Sequence, residues 1–282
     1  MHIYSRRPEF SVGLHEIEWE EVIDKIPRLD DQDPKSHIRI AYRGKLVPWS
    51  PGGEEVISPL RIVHSVEILG PPNIGKTTLI NSVSEELTNR EFPHEIYTER
   101  DIGVDPYWDD EDFDMVFQLD AAALLMRNSI NSATWVEEKN KKLKIYDRNI
   151  FSPLTFSLAI KNLRSRLRTA ENLDLQLELA KSLYHYLDTI VIVNAPPQTS
   201  LERGSRMTPG FLSELYQVHL KFPEFISWLT ADKHSPITIV QIDGDLSPEA
   251  SRDLTLKSLG TILHARYERS IQLQKLTDPG SE

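Results

Sequence analysis

The chain has 282 residues, no cysteine and a formal net charge of −11. The missing cysteines exclude a disulfide framework and a thiolate metal site, and the acidic balance speaks against a surface that grips nucleic acid by counterion release. Its apolar runs, such as Ile190 to Val193, fall far short of a bilayer span. No apolar stretch of signal-peptide length follows Met1-His2-Ile3-Tyr4-Ser5-Arg6-Arg7. A cytoplasmic protein with neither nucleic-acid nor membrane partners is expected.

Residues 1–57 are read as a small N-terminal extension ahead of a domain over 58–282. Leu14 to Ile26 has the spacing of a short amphipathic helix, with Leu14, Ile17, Trp19, Val22, Ile23 and Ile26 among acidic residues. Ile38-Arg39-Ile40-Ala41-Tyr42 and Lys45-Leu46-Val47 flank Arg43-Gly44, the pattern of a hairpin. Ser50-Pro51-Gly52-Gly53 is a linker or turn.

From about residue 60 strands and helices alternate. Strands are expected at Ser65–Leu69, Glu95–Thr98, Leu143–Tyr146, Thr189–Val193 and Ile237–Ile242. Helices are expected at Lys76–Leu87, Phe113–Asn128, Pro153–Ala170 with Leu173–Leu187, Phe211–Leu229 and from Pro248 to about Gln274. Short apolar strands separated by long amphipathic helices predict an α/β fold, a mostly parallel five-stranded sheet with helices on both faces. Ligands of such sheets bind beyond the carboxyl ends of the strands.

Gly70-Pro71-Pro72-Asn73-Ile74-Gly75-Lys76-Thr77 fits the phosphate-loop pattern G-x-x-x-x-G-K-[ST]. It follows the apolar strand Val66-Glu67-Ile68-Leu69 and opens a helix at Thr77-Thr78-Leu79-Ile80, which is the setting that pattern requires. Gly70 and Gly75 permit the tight turn, and the amides of Asn73, Ile74, Gly75, Lys76, Thr77 and Thr78 are left for phosphate oxygens at a helix N-terminus. Lys76 is expected on the outer phosphates and Thr77 on magnesium. The two prolines remove donors only from the early loop positions. A nucleoside triphosphate, ATP, with Mg2+ is the expected ligand.

Asp147-Arg148 closes a predicted strand, where the acid is placed to hold magnesium and the arginine to pair with a substrate phosphate or hydroxyl. Further on, Asn194-Ala195-Pro196-Pro197 runs into Leu201-Glu202-Arg203-Gly204-Ser205-Arg206. A short helix there is predicted to carry Arg203 and Arg206 on one face, as a segment that closes over a triphosphate. Met207-Thr208-Pro209-Gly210 reads as its far hinge. The run Asp109-Asp110-Glu111-Asp112 is read as a solvated loop or helix start.

These pieces together, over about residues 64 to 270, resemble the thymidylate kinase and deoxynucleoside kinase group of P-loop kinases. Asp147-Arg148-Asn149-Ile150-Phe151-Ser152 resembles the group's acid–arginine motif, and Ala195-Pro196-Pro197 through Arg206 resembles its lid entry. Ile239 to Gly244 resembles the last strand, which borders the adenine site. The resemblance implies a P-loop fold and ATP-dependent phosphoryl transfer to a nucleoside or nucleoside monophosphate. Catalytic roles then fall to Lys76, Asp147, Arg148, Arg203 and Arg206, with Thr77 and Asp147 on the metal. It further implies that Gln118, after Phe117, reads the acceptor base, that Arg127 binds substrate, and that Glu99 is the acid near the acceptor. Glu99 is followed by Arg100-Asp101-Ile102-Gly103 in place of the group's E-P motif, so Asp101 or Asp105 is an alternative to it.

Two other classes share the loop. Era-like GTPases need N-K-x-D after a strand, whereas Asn194 is followed by Ala195-Pro196. A P-loop ATPase or regulatory module without kinase activity would bind ATP without phosphorylating an acceptor, using the N-terminal extension to meet a protein partner. A homodimer through that extension is the other assembly considered.

Overall fold

The computed structural model describes residues 18–30, 32–50, 57–97, 142–147, 150–164, 167–231 and 235–277. The strands are β1 Ile38–Tyr42, β2 Lys45–Pro48, β3 His64–Leu69, β4 His94–Tyr97, β5 Leu143–Asp147, β6 Thr189–Asn194 and β7 Ile237–Asp243. The helices are α1 Trp19–Val22, α2 Lys76–Asn89, α3 Ser152–Arg164, α4 Leu167–Leu183, α5 Pro197–Glu202, α6 Pro209–Leu229 and α7 Pro248–Thr277. No described helix is long and apolar enough to cross a membrane. The expected helix over 113–128 lies outside the described residues.

The sheet runs in the order β2-β1-β7-β6-β3-β5-β4. Strands β3 to β7 are mutually parallel, as the alternation of strand and helix predicts. The expected five strands become seven among the described residues. β1 pairs antiparallel with β7, Ile38 opposite Val240 and Ala41 opposite Ile237, so the predicted hairpin covers the edge that β7 would otherwise expose. Its turn is two residues long, and both have positive φ, Arg43 at 47° and Gly44 at 75°, which matches the twist of paired strands.

Alternating strand side chains feed two cores. Val66 and Ile68 of β3, with Val191, Val240 and Ile38, pack against Leu79, Ile80 and Val83 of α2 and Leu259 and Leu263 of α7. Leu69, Ile190, Ile192 and Ile239 point to the opposite face, against Phe151 and Leu154, Leu215 and Phe222. Each core side chain of this size contributes about 1.5–3 kcal/mol by leaving water.

The segment ahead of β1 is bound to the last helix. A Cβ on Gly260 would overlap the Pro27 carbonyl oxygen, so only glycine lets the chain cross α7 there. Leu29 N–H donates to Thr261 Oγ1 at 2.9 Å, and Trp19 Nε1 donates to the Arg61 carbonyl at 2.8 Å. Of the helix expected from Leu14 to Ile26, the described part is α1 followed by a 3-10 turn at Ile23–Lys25.

At the amino ends of the strands lies a buried polar cluster. Arg266 Nη1 donates to Asp188 Oδ1 at 2.9 Å, with both side chains 2% exposed. Ser65 N–H donates to Asp188 Oδ2, and Arg266 also reaches the Asp188 carbonyl and Thr238. Burial alone would raise the Asp188 carboxyl, but His64, Arg266 and Arg61 with the Ser65 N–H hold it below its ordinary value. Burial pushes the adjacent His64 imidazole down to about 3.

Candidate functional site

The carboxyl ends of β3, β5, β6 and β7 lie along one edge of the sheet, where the chain continues from β3 towards β4 on one side and from β6 towards β7 on the other. The predicted phosphate loop sits there. A Cβ on Gly70 would drive into the Val193 carbonyl of β6, so the loop leaves β3 in contact with the neighbouring strand only because position 70 lacks one. Gly75, at φ 98°, is the left-handed residue that opens α2. Asn73 also has positive φ, 58°, a conformation asparagine tolerates better than most residues. Ile74 is buried in the core beneath the loop, while Thr77 and Thr78 are exposed at its mouth. Lys76 is only 6% exposed and its Nζ donates to the Pro71 carbonyl at 2.8 Å. The ammonium is thereby held inside the loop it would serve.

Asp147, the last residue of β5, lies beside Ile68 of β3 in the ladder. Thr77 Oγ1 donates to Asp147 Oδ2 at 3.1 Å. The other oxygen, Oδ1, is buried and has no hydrogen-bond partner among the described residues. Buried polar atoms are rarely left unsatisfied, and a hydroxyl beside a carboxylate is the hard-oxygen donor set that magnesium takes next to phosphates. The two residues therefore fit the metal assigned to them.

The sequence reading missed Glu67. It is fully buried in β3 and accepts the N–H of Ser152 at 2.9 Å and of Phe151 at 3.1 and 3.2 Å. A charged residue in the middle of an otherwise apolar strand was the one available signal.

Arg203 and Arg206 do not share a helical face. Helix α5 ends at Glu202, and Gly204 at φ 81° closes it, with Gly204 N–H bonded to the Leu201 carbonyl and Ser205 N–H to that of Ser200. Arg203 is the last cap residue and Arg206 lies beyond the closure, exposed. The Arg203 guanidinium donates to the Ile74 carbonyl at 2.7 Å and to the Gly244 carbonyl at 3.1 Å, and Asn73 Nδ2 returns a bond to the Arg203 carbonyl at 3.2 Å. One side chain thus ties the phosphate loop to the turn after β7. The expected hinge at 207–210 is the start of α6, with Thr208 Oγ1 accepting the Phe211 N–H and Pro209 in the first turn.

Glu99, Gln118, Arg127 and Arg148, like Asp101 and Asp105, lie outside the described residues.

No family model matches the chain, and no curated protein matches it by sequence. Solved structures match it in fold. A deoxyadenosine kinase from M. mycoides with dCMP and a flexible dCDP bound superposes with a TM-score of 0.50 at 15% identity, over 70% of this chain and 99% of that one. The fold is that of the P-loop deoxynucleoside kinases. The same enzyme with dATP bound gives a TM-score of 0.48 at 15% identity, over 69% of this chain and 98% of that one. The structure with dCMP and dCDP bound is covered nearly end to end, and this chain is the longer of the two.

Proposed function

We propose that this chain is a magnesium-dependent kinase that transfers the γ-phosphoryl group of ATP to a nucleoside or nucleoside monophosphate. The observation that carries the reading is the pairing of Thr77 with Asp147 at the mouth of the phosphate loop, with one carboxylate oxygen buried and without a hydrogen-bond partner among the described residues. The deoxynucleoside kinase fold supports the choice of acceptor class.

In this reading the loop amides and Lys76 hold the triphosphate, and Lys76 exchanges its bond to Pro71 for phosphate oxygens. Thr77 and Asp147 would hold magnesium, which would supply neutralisation of the phosphate charge. An acceptor oxygen attacks the γ-phosphorus as the bond to the β–γ bridging oxygen breaks, and ADP leaves with that electron pair. Glu99, or Asp101 or Asp105 in its place, takes the acceptor proton, while Gln118, Arg127 and Arg148 bind the acceptor. Positioning and charge carry most of the rate in such transfers. Residues 58–282 form the catalytic unit, and residues 1–57 are the extension through which a protein partner or a second copy would bind. We place the protein in the cytoplasm.

One observation favours a second reading, an ATP-binding module without transfer. The Arg203 guanidinium is already engaged by two backbone carbonyls, which leaves Arg206 alone in the connection to α6 to meet the transferring group.

Incubation with magnesium, labelled ATP and a panel of nucleosides and monophosphates tests the choice. Label transfer to one acceptor is expected; tight ATP binding with no acceptor labelled would establish the second reading.

A further inference from the structure

Resting on the kinase reading above, we propose that Glu67 is a positioning residue that sets the geometry of the Thr77–Asp147 metal site from behind. Burying a carboxylate in the centre of a sheet is costly unless hydrogen-bond donors surround it. Glu67 has two of them at the start of α3, the N–H groups of Phe151 and Ser152. Phe151 precedes that helix and Ser152 opens it, so their N–H groups belong to the set that a helix leaves without internal partners. A negative charge at that end is also favoured by the helix dipole.

The position of this contact gives it a functional consequence. Glu67 lies opposite Tyr146 in the ladder, and Ile68 opposite Asp147. Strand β3 runs from Glu67 through Leu69 into Gly70, and β5 runs through Asp147 towards the helix start that Glu67 holds. One carboxylate therefore fastens the chain after Asp147 to the strand that delivers the phosphate loop. Asp147 is fixed on both sides, by Thr77 in front and by the Glu67 anchor behind. Glu67 holds the Phe151 and Ser152 N–H groups, and it acts through the placement of Asp147.

The test is the magnesium dependence of nucleotide binding, followed by titrating the full chain with a fluorescent ATP analogue in EDTA and in rising magnesium chloride. Glu67→Gln keeps the shape of the side chain and removes its charge and one acceptor. The folded variant is expected to bind the analogue in EDTA as the wild type does. It should need about tenfold or more magnesium for half-maximal enhancement, the usual penalty for disturbing a group that orients a metal ligand. A lowered melting temperature with an unshifted magnesium midpoint makes Glu67 merely structural and overturns the proposal. Equal losses in EDTA and in magnesium overturn it as well. Should Glu67→Gln not fold, Ser152→Pro is read in the same way: it removes the 2.9 Å donor together with the buried Ser152 hydroxyl, at a helix position where proline is tolerated. A wild type that binds no analogue at any magnesium concentration sinks the kinase reading and this role together. A wild type that responds to magnesium beside an unshifted variant sinks this role alone.

Discussion

Thr77 Oγ1 lies 3.1 Å from Asp147 Oδ2, joining the first turn of α2 to the end of the neighbouring strand β5 across the mouth of the phosphate loop. Asp147→Asn keeps an oxygen for the hydroxyl but loses the charge that holds a divalent ion. Nucleotide affinity in EDTA should then stay near wild type, while turnover with magnesium falls by at least a hundredfold, on the order expected for charge stabilisation lost from a transition state. Calorimetry and single-turnover assays measure the two separately. Undiminished turnover would remove Asp147 from the metal.

Lys76→Ala deletes an ammonium that is nearly buried within the loop. A charge-assisted hydrogen bond is worth about 1.5–3 kcal/mol, so ATP affinity should drop by roughly ten- to hundredfold in a protein whose circular dichroism is unchanged. ATP titration of the folded variant checks it, and wild-type affinity would refute the loop assignment.

The two arginines should separate kinetically. Arg203→Ala frees the Ile74 and Gly244 carbonyls and loosens the loop, so KM for ATP should rise about tenfold with a smaller change in kcat. Lysine at 203 should rescue little, because one ammonium does not reproduce a planar fork that meets two carbonyls. Arg206→Ala should act on kcat, with a loss on the order of 10³ if it meets the transferring group. Parallel losses of kcat in both variants would place both arginines on the phosphoryl group.

Stability should fall as the medium is acidified from pH 6.5. The His64 imidazole, brought down to about 3 by burial, stays neutral in the fold, whereas in the unfolded chain it binds a proton below about 6.5. The unfolded state thus carries the extra proton between those values, and each pH unit lost costs about 1.4 kcal/mol. Burial lowers His37 and His264 as well, and they add to the slope with the same sign. Asp188, held below its ordinary value, loses its contribution only at still lower pH. Urea melts between pH 7 and pH 4.5 should show the decline, and His64→Gln should flatten it; an equal slope in that variant would assign the effect elsewhere.

Gly260→Ala places a methyl group against the Pro27 carbonyl. Overpacking of this kind costs about 1–3 kcal/mol, and the strain falls on the contact between extension and last helix. Limited proteolysis should cut the extension near Pro27 sooner in the variant, while ATP affinity stays unchanged.

The loop after β3 and the parallel strands were legible because their signals are local. The loop pattern, the strand before it and the helix after it occupy one short stretch, and β6 and β7 are marked by apolar runs, Ile190 to Val193 and Ile237 to Ile242 broken only by Thr238 and Gln241. The pairing of β1 with β7 left no such mark, since nothing in Ile38–Tyr42 specifies a partner near the far end of the chain. Asp188 and Arg266 were equally silent, and Glu67 showed only as a charge within a strand: a buried charge is recognised by its partners, and those lie on other elements. The arginines at 203 and 206 were misplaced for a different reason. Helical spacing was extended through Gly204, whose left-handed conformation ends the helix.

The edge pairing of β1 carries a consequence for synthesis. Leu29 and Thr261, bonded in the folded protein, are 232 residues apart, and β1 waits for β7 over a comparable length. A ribosome adding about 5–20 residues per second makes the apolar strand Ile38–Tyr42 wait roughly 10–50 s for the edge it will cover. During that interval the hairpin is an unpaired sticky edge, and its protection in the cell falls to chaperones or to the speed of translation.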